Sequence, residues 1–352
     1  MPSAADSSAG AWRFAEGAAI TAGAVALALV VFGAFVALNG IDPVAMYGAL
    51  ALGAFGTWFS IEATLTQASP LMLTALCTAI PARAGLLVIG GEGALVIGGL
   101  AAVLAGVAAD GMPPAAGTVT VLAAAALAGG LWIAAAGALK LYRGVNETIS
   151  TLLLNYITIA LLNHLVSGPI RDFGETLKAT SWPIPEAFRI GAMPFINVHW
   201  GLAIGAALCL VLWFVMRQTT FGFAVDVLGG NLRAAQVAGL ATRRLAFVAC
   251  LIGGAAAGLA GGLEVVAVHG AASESLVVGF GYAGILVAFI ARQNPLLVIL
   301  VAVLLGGISA SGGLLQRRFD MPGAGTAVLQ GMIFLAVLGA NTLHGRWRTR
   351  RA

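Results

Sequence analysis

The chain has 352 residues, of which 60% are hydrophobic and 9% charged, with a mean hydropathy of +0.98 and a formal charge of +4. Globular domains carry about 25% charged residues, so an ordinary water-soluble fold is excluded, and no polar block is long enough to form one separately. The charge does not point to nucleic acid, because the arginines stand between apolar runs with no basic patch interleaved with aromatics.

Continuous apolar runs of about 20 residues read as membrane-spanning helices, since lipid offers no water to satisfy any other backbone. Ten such runs follow in order: 17–38, 64–82, 84–108, 115–139, 148–167, 198–216, 245–268, 276–291, 295–314 and 322–341. The expected fold is therefore an all-α polytopic membrane protein with about ten transmembrane helices. It divides into an N-terminal segment (1–16), a membrane domain (17–341) and a basic tail (342–352). The first run is too long for a signal-peptide core and reads as a retained span. Between the first two runs, Pro43 to Glu62 reads as an amphipathic stretch lying on the membrane surface. The eighth run is short and glycine-rich and reads as a broken or re-entrant segment. Cys77, Cys209 and Cys250 all fall inside apolar runs, with neither disulfide nor metal spacing, and read as small core residues. The 48 glycines suit close helix packing or broken helices lining a cavity.

Orientation follows from the basic residues. With the N-terminus inside, the inner face receives Arg13, Arg83, Lys140, Arg143, Arg217, Arg233, Arg243, Arg244, Arg292, Arg346, Arg348, Arg350 and Arg351. The outer face receives Arg171, Lys178, Arg189, Arg317 and Arg318. Both termini are thus expected in the cytoplasm, and the loop 168–197, stiffened by Pro169, Pro183, Pro185 and Pro194, outside.

Three polar features interrupt the apolar pattern. In the third run, Gly90, Gly91 and Gly93 bracket Glu92. A carboxylate at membrane depth is costly unless paired, protonated or hydrated, and flanking glycines permit a helix break. Glu92 either lines a passage on a discontinuous helix or pairs with Arg83 at the interface. In the fifth run, Asn146 and Glu147 stand at the mouth, and Thr151, Asn155 and Thr158 share one helix face. That stripe either lines a pathway or hydrogen-bonds between helices. Glu264 after Gly261-Gly262 echoes the pattern at Glu92, as an internal repeat would. Finally, Phe221 to Arg244 is a polar island between spans, within a cytoplasmic loop 217–244. Asn231 there can cap a helix of about two turns that Gly239 ends. Such a helix suits docking of a soluble partner, and the alternative is a structured loop with none.

Lys140 and Lys178 are the only lysines and neither follows a glycine, so there is no phosphate-binding Gly-Lys-Ser/Thr loop and ATP hydrolysis by that route is excluded. No His-Glu-x-x-His or Cys-x-x-Cys pattern occurs, and neither a metal nor a cofactor is expected. Gly307-Ile308-Ser309-Ala310 has the look of an intramembrane serine protease motif, but small-residue helix packing explains it. No catalytic residue is assigned.

The blocks Arg83-Ala-Gly-Leu-Leu-Val-Ile-Gly-Gly-Glu-Gly93 and Arg143-Gly-Val-Asn-Glu-Thr-Ile-Ser-Thr-Leu-Leu-Leu-Asn-Tyr-Ile157 resemble the permease subunits of bacterial nucleoside and simple-sugar ABC importers. So do Gly222 to Leu240, Gly279-Phe-Gly-Tyr-Ala-Gly-Ile-Leu-Val-Ala288 and Asn294-Pro295, and the resemblance covers about Leu71 to Leu338. The chain departs from the family pattern at Val88 and Ala94, where amide side chains are usual. The resemblance implies a type II ABC importer-like permease of the bacterial cytoplasmic membrane, with a possible inverted repeat. It also implies cytoplasmic ABC ATPase subunits, a second permease in a heterodimer, an external substrate-binding lipoprotein and surrounding lipid as partners, and no nucleic acid. Gly90, Gly91, Glu92, Gly93, Thr151, Asn155 and Thr158 would belong to the translocation path, and Asn146 and Glu147 to the family motif. Gly229, Asn231, Arg233, Ala234, Ala235 and Gly239 would couple it to the ATPase. The competing readings are a secondary transporter of a small polar solute and a permease for branched-chain amino acids.

Overall fold

The computed structural model describes residues 4–174, 178–321 and 324–349. Arg350 and Arg351, and the side chains of Arg13, Arg346 and Arg348, lie outside the described residues. Eight described helices are long and apolar enough to cross a membrane. They lie in α1 (Ala4–Leu38), α3 (Trp58–Arg83), α4 (Gly91–Ala108), α5 (Pro114–Arg143), α6 (Glu147–Ser167), α7 (Gly201–Gln218), α10 (Thr242–Leu263) and α12 (Pro295–Phe319). Shorter helices are α2 (Pro43–Phe55), α8 (Thr220–Gly230), α9 (Leu232–Val237) and α11 (Phe280–Ile290). In α13 (Ala324–Thr349) the apolar part is Gly325–Ala340. The expected eighth span is thus helical only over α11, after an irregular approach from Gly270. The third expected span, 84–108, begins as helix only at Gly91.

The chain divides into two compact units, residues 62–306 and residues 1–61 with 307–352. In the smaller unit α1 packs along α13, Tyr47 on α2 donates to the Leu29 carbonyl, and Gly53 faces Ser311. Ser309 accepts a hydrogen bond from Gln330 Nε2 at 2.9 Å, a helix-packing contact. The stretch Pro43–Glu62 is not one amphipathic surface helix. Asp42 caps α2 and Pro43 starts it, and the helix ends at Gly56. It carries no charged residue and buries Met46 and Ala49, while Glu62 belongs to α3.

The larger unit is built on α4, α5 and α10, which meet through glycines. A Cβ on Gly98 would lie 2.5 Å from the Gly258 Cα, and one on Gly129 equally close to it, while one on Gly261 would collide with the Leu95 carbonyl. Backbones in direct contact supply the dispersion that takes the place of the hydrophobic effect inside lipid. At the far end of this core, residues 168–174 and 178–200 form a cap tied down by backbone hydrogen bonds. Strands β1 (Ala192–Met193) and β2 (Ile196–His199) pair antiparallel. The amides of Ser181, Ile184 and Ile190 donate to the carbonyls of Ala272, Gly270 and Val266. Phe188 and Ile184 are buried in the core beneath. His199 is also buried, accepts from the Gly201 amide at 3.1 Å, and has its pKa lowered by that burial.

Beyond Leu263, α10 widens into a π-helical turn, Glu264–His269, ended by the left-handed Gly270. Buried Glu264 faces His269, with Oε2 to Nε2 at 3.7 Å. Its surroundings do not reproduce those of Glu92.

Gly258→Leu should force the three core helices apart and lower the melting temperature in detergent by the equivalent of about 1–3 kcal/mol or more. Gly331→Ala, where an added Cβ meets nothing within 4 Å, should be neutral or slightly stabilising. An unchanged melting temperature in Gly258→Leu would contradict the packing described.

Candidate functional site

Between α3 and α4 the chain runs without helix from Ala84 to Gly90. Pro70 and Pro81 lie within α3, and the left-handed Gly85, at φ +79°, turns the chain back. A nonhelical segment among apolar helices must find a partner for each buried polar backbone group. Here the partners come from α3 and α6. The Ala84 and Leu86 amides donate to the Pro81 carbonyl at 2.9 and 3.0 Å. The carbonyls of Leu87 and Val88 accept from the hydroxyls of Thr148 and Thr78 at 3.1 and 3.2 Å. The Ile89 amide donates to Thr151 Oγ1 at 3.2 Å, and the Ile89 carbonyl accepts from Asn155 Nδ2 at 3.1 Å. Asn155 Oδ1 then accepts from the Gly93 amide at 2.8 Å. One side chain therefore spans the break and the first turn of α4.

Glu92 stands in that first turn with 0% exposure. Its two carboxylate oxygens accept from the Gly279 and Gly281 amides of α11, at 2.8 and 2.6 Å. Those amides open α11, so the acid lies where the positive ends of two helices converge. Gly281 must lack a side chain, because a Cβ there would strike the backbone of Glu92. Thr74 Oγ1 donates to the Phe280 carbonyl at 2.9 Å and pins the same helix start to α3. The expected alternative of a Glu92–Arg83 pair does not occur. Arg83 instead grips Asp226 of α8 through two bonds, Nε to Oδ1 at 2.8 Å and Nη2 to Oδ2 at 2.5 Å.

The polar stripe on α6 faces this break. Thr151, Asn155 and Thr158 are all fully buried, and Thr151 and Asn155 bond across to the broken segment, while Thr158 bonds back to the Leu154 carbonyl. Gly90 and Gly93 touch Thr151 and Asn155, and Gly91 meets Gly281. Asn146 caps α6 by accepting from the Thr148 and Ile149 amides, and Glu147 pairs with Lys140 of α5 at 2.9 Å. Tyr282 completes the group: its hydroxyl is 3.4 Å from Asn155 Nδ2, and the residue is 41% exposed. It links the buried cluster to an accessible surface. Val88 and Ala94 are buried, so the amides absent there are not missing from an exposed wall.

A second group lies at the Arg83 end. The sequence indicated one short helix in 217–244, and the structure holds two. Thr219 caps the apolar α8, which packs so closely that a Cβ on Gly229 would collide with the Arg83 carbonyl. Asn231 follows and caps α9, accepting from the Arg233 and Ala234 amides at 2.9 and 3.1 Å. Gly239, at φ +75°, lets the Leu240 amide return to the Ala235 carbonyl and stops the helix. Ala235 was expected to face a partner, but it is 0% exposed within the chain, and the outward large apolar residues are Val237, at 91% exposure, and Leu232, at 54%. Arg233 and Ala234 are exposed beside them.

Sequence reasoning missed Thr74 and Asp226, and quoted Gly281 and Tyr282 in the Gly279–Ala288 block without assigning them a role. Asp226 carried a signal, as the single acid in the otherwise uncharged 220–230 stretch, whereas Thr74 had none.

The combination of broken helices meeting at an acid and a capped helix between spans is that of a membrane permease. The chain belongs to the family described as the branched-chain amino acid transport system / permease component, whose profile matches residues 60–338. It is 32% identical over 326 residues to the guanosine ABC transporter permease protein NupP of Bacillus subtilis, covering 91% of this chain and 93% of that one. It is 30% identical over 328 residues to the glucose ABC transporter permease protein TsgB13 of Haloferax volcanii, covering 89% and 85%. With the guanosine permease protein NupQ of Bacillus subtilis the identity is 26% over 301 residues, covering 81% and 92%. The chain is a multi-pass ABC transporter permease.

Glu92→Ala would leave two buried amides without an acceptor, at about 1–3 kcal/mol each, and should lower the melting temperature of the purified chain clearly. Asn155→Leu should do the same through lost interhelical bonds of about 0.6–2 kcal/mol each. Tyr282→Phe, which removes one long and half-exposed contact, should leave stability unchanged. A wild-type melting curve for Glu92→Ala would show that the carboxylate does not hold the two helix starts.

Proposed function

We propose that this chain is one permease of a bacterial ABC importer that carries a nucleoside or simple sugar across the cytoplasmic membrane. Cytoplasmic ATPase subunits would drive it, a second and different permease would complete the pore, and an external binding lipoprotein would deliver the substrate. The names of the relatives support the substrate class, since they include guanosine and glucose permeases. Two guanosine permeases of one organism match this chain unequally, which supports a heterodimer. Sidedness follows the basic residues. Arg83, Lys140, Arg217, Arg233, Arg243 and Arg292 gather at the α9 end of the larger unit, which by the positive-inside rule is cytoplasmic.

The observation that carries the reading is the continuous connection from α9 to Glu92. In this proposal α9 seats in the ATPase, and closure of the ATPase moves α8, which follows rigidly through the Asn231 junction. The Arg83–Asp226 pair and the Gly229 contact pass the motion to Ala84–Gly90, and Glu92 passes it to α11. Gly90, Gly91, Gly93, Thr151, Asn155 and Thr158 shape the path from behind as its scaffold, and Tyr282 presents the group that solute meets. Asn146 and Glu147 hold the start of α6 in register.

The test is reconstitution in lipid with the ATPase, the second permease and the binding protein. Val237→Glu should weaken ATPase retention by about tenfold or more, since spoiling an interface anchor costs about 2 kcal/mol or above. Gly239→Val should act likewise, because a β-branched residue strains the left-handed position. Ala235→Glu should instead unfold the segment by burying a charge. Wild-type coupling in Val237→Glu would overturn the role of α9. Uptake driven by an ion gradient without ATP would favour the secondary-transporter reading.

A further inference from the structure

On the same face as α9, an open pocket of about 560 Å³ lies among the ends of α3, α7, α8 and α11. Arg83, Arg217 and Arg292 line it, with Asp226 as their acidic counterpart and Trp213 and Asn294 beside them. Asp226 is committed to Arg83 by both carboxylate oxygens. Among the described residues, neither Arg217 nor Arg292 is within ion-pair distance of a carboxylate. Arg217 lies over the Trp213 ring, 5.7 Å from its centroid. Arg292 and Gln293 both hold left-handed backbones, at φ 51° and 60°, in the turn between α11 and α12. Two permanent cations thus border a pocket whose single acid is already used.

The surroundings say what kind of anion fits. Arg217 stands in the last turn of the membrane helix α7, and Leu210 and Phe214 precede it by seven and three residues on the same helix face. Leu210, Val211 and Phe214 are all exposed, so an apolar strip runs from the membrane directly up to the arginines. Trp213 stands at that boundary, where an indole ring is at home between apolar and polar surroundings. A soluble anion would use the arginines and leave the strip idle. We propose that this pocket binds the phosphodiester headgroup of an anionic phospholipid, with its acyl chains along Leu210, Val211 and Phe214. Guanidinium groups match phosphate oxygens in geometry and remain charged at any relevant pH. The bound headgroup would sit against the Arg83–Asp226 pair, so lipid composition would bear on the connection between α8 and α3.

The full-length chain in neutral detergent can be titrated with palmitoyl-oleoyl phosphatidylglycerol, with the phosphatidylcholine of the same chains, and with inorganic phosphate. Bound lipid is read by native mass spectrometry and stabilisation by the melting curve. Phosphatidylglycerol should be retained in preference to phosphatidylcholine, and millimolar phosphate should not displace it. The double substitution Arg217→Gln with Arg292→Gln should weaken phosphatidylglycerol retention about 30-fold, at roughly one surface-charge increment per arginine. Arg189→Gln, on the opposite cap, should have no effect. If the double variant folds poorly, Arg217→Gln alone serves, since that side chain is exposed and rests on one ring. Equal retention of both lipids would overturn the proposal. So would displacement by phosphate alone, which would mark a free-anion site. Unchanged phosphatidylglycerol retention in the double variant would also overturn it, leaving the arginines to an acidic protein surface instead.

Discussion

The structure turns on a carboxylate that lies in an apolar core without a cation. Glu92 accepts from two amides at the start of another helix. Each side of the contact would be expensive alone: a buried acid among helices, and the bare start of α11. Together they cancel, and the geometry that lets them meet fixes much else. It requires α4 to begin at Gly91 rather than at the membrane boundary, so the chain must cross Ala84–Gly90 without helical bonds. That requirement calls up Thr78, Thr148, Thr151 and Asn155 as partners for the segment.

The glycines serve the same end. At Gly281 and Gly229 the missing side chain lets one backbone touch another, at Glu92 in the first case and at the Arg83 carbonyl in the second. These are the two joints through which the broken segment is held, one at each end. The α4–α5–α10 contacts close the surrounding frame backbone to backbone, with the low compressibility of a packed interior.

Much of this was legible in the residues. The spans follow from apolar length, and the α9 cap and stop follow from Asn231 and Gly239, because both depend on local chemistry. The helix break near Glu92 was visible in its flanking glycines. What escaped were relations between distant positions. Nothing in sequence joins Glu92 to Gly279, 187 residues away, and the nearby Arg83 is a more obvious partner until Asp226 is seen to hold it. Ala235 looked outward because a six-residue helix has no periodicity long enough to reveal its buried side. The helix α8 was hidden for a related reason, since an apolar run of 11 residues between two spans reads as the fraying end of either.

α11 has non-helical joints at both ends, the left-handed Gly279 before it and the left-handed Arg292 and Gln293 after it. At 11 residues it is a stiff rod about 16 Å long. Its first turn is fastened at Glu92 and Thr74, so the fastened end acts as a fulcrum. A rod pivoted in this way needs no bending to change the width of the space beside it. A rotation at Gly279 would displace the opposite end in proportion to helix length, and would carry with it the hydrogen-bonded turn that Gln293 and Asn294 close there.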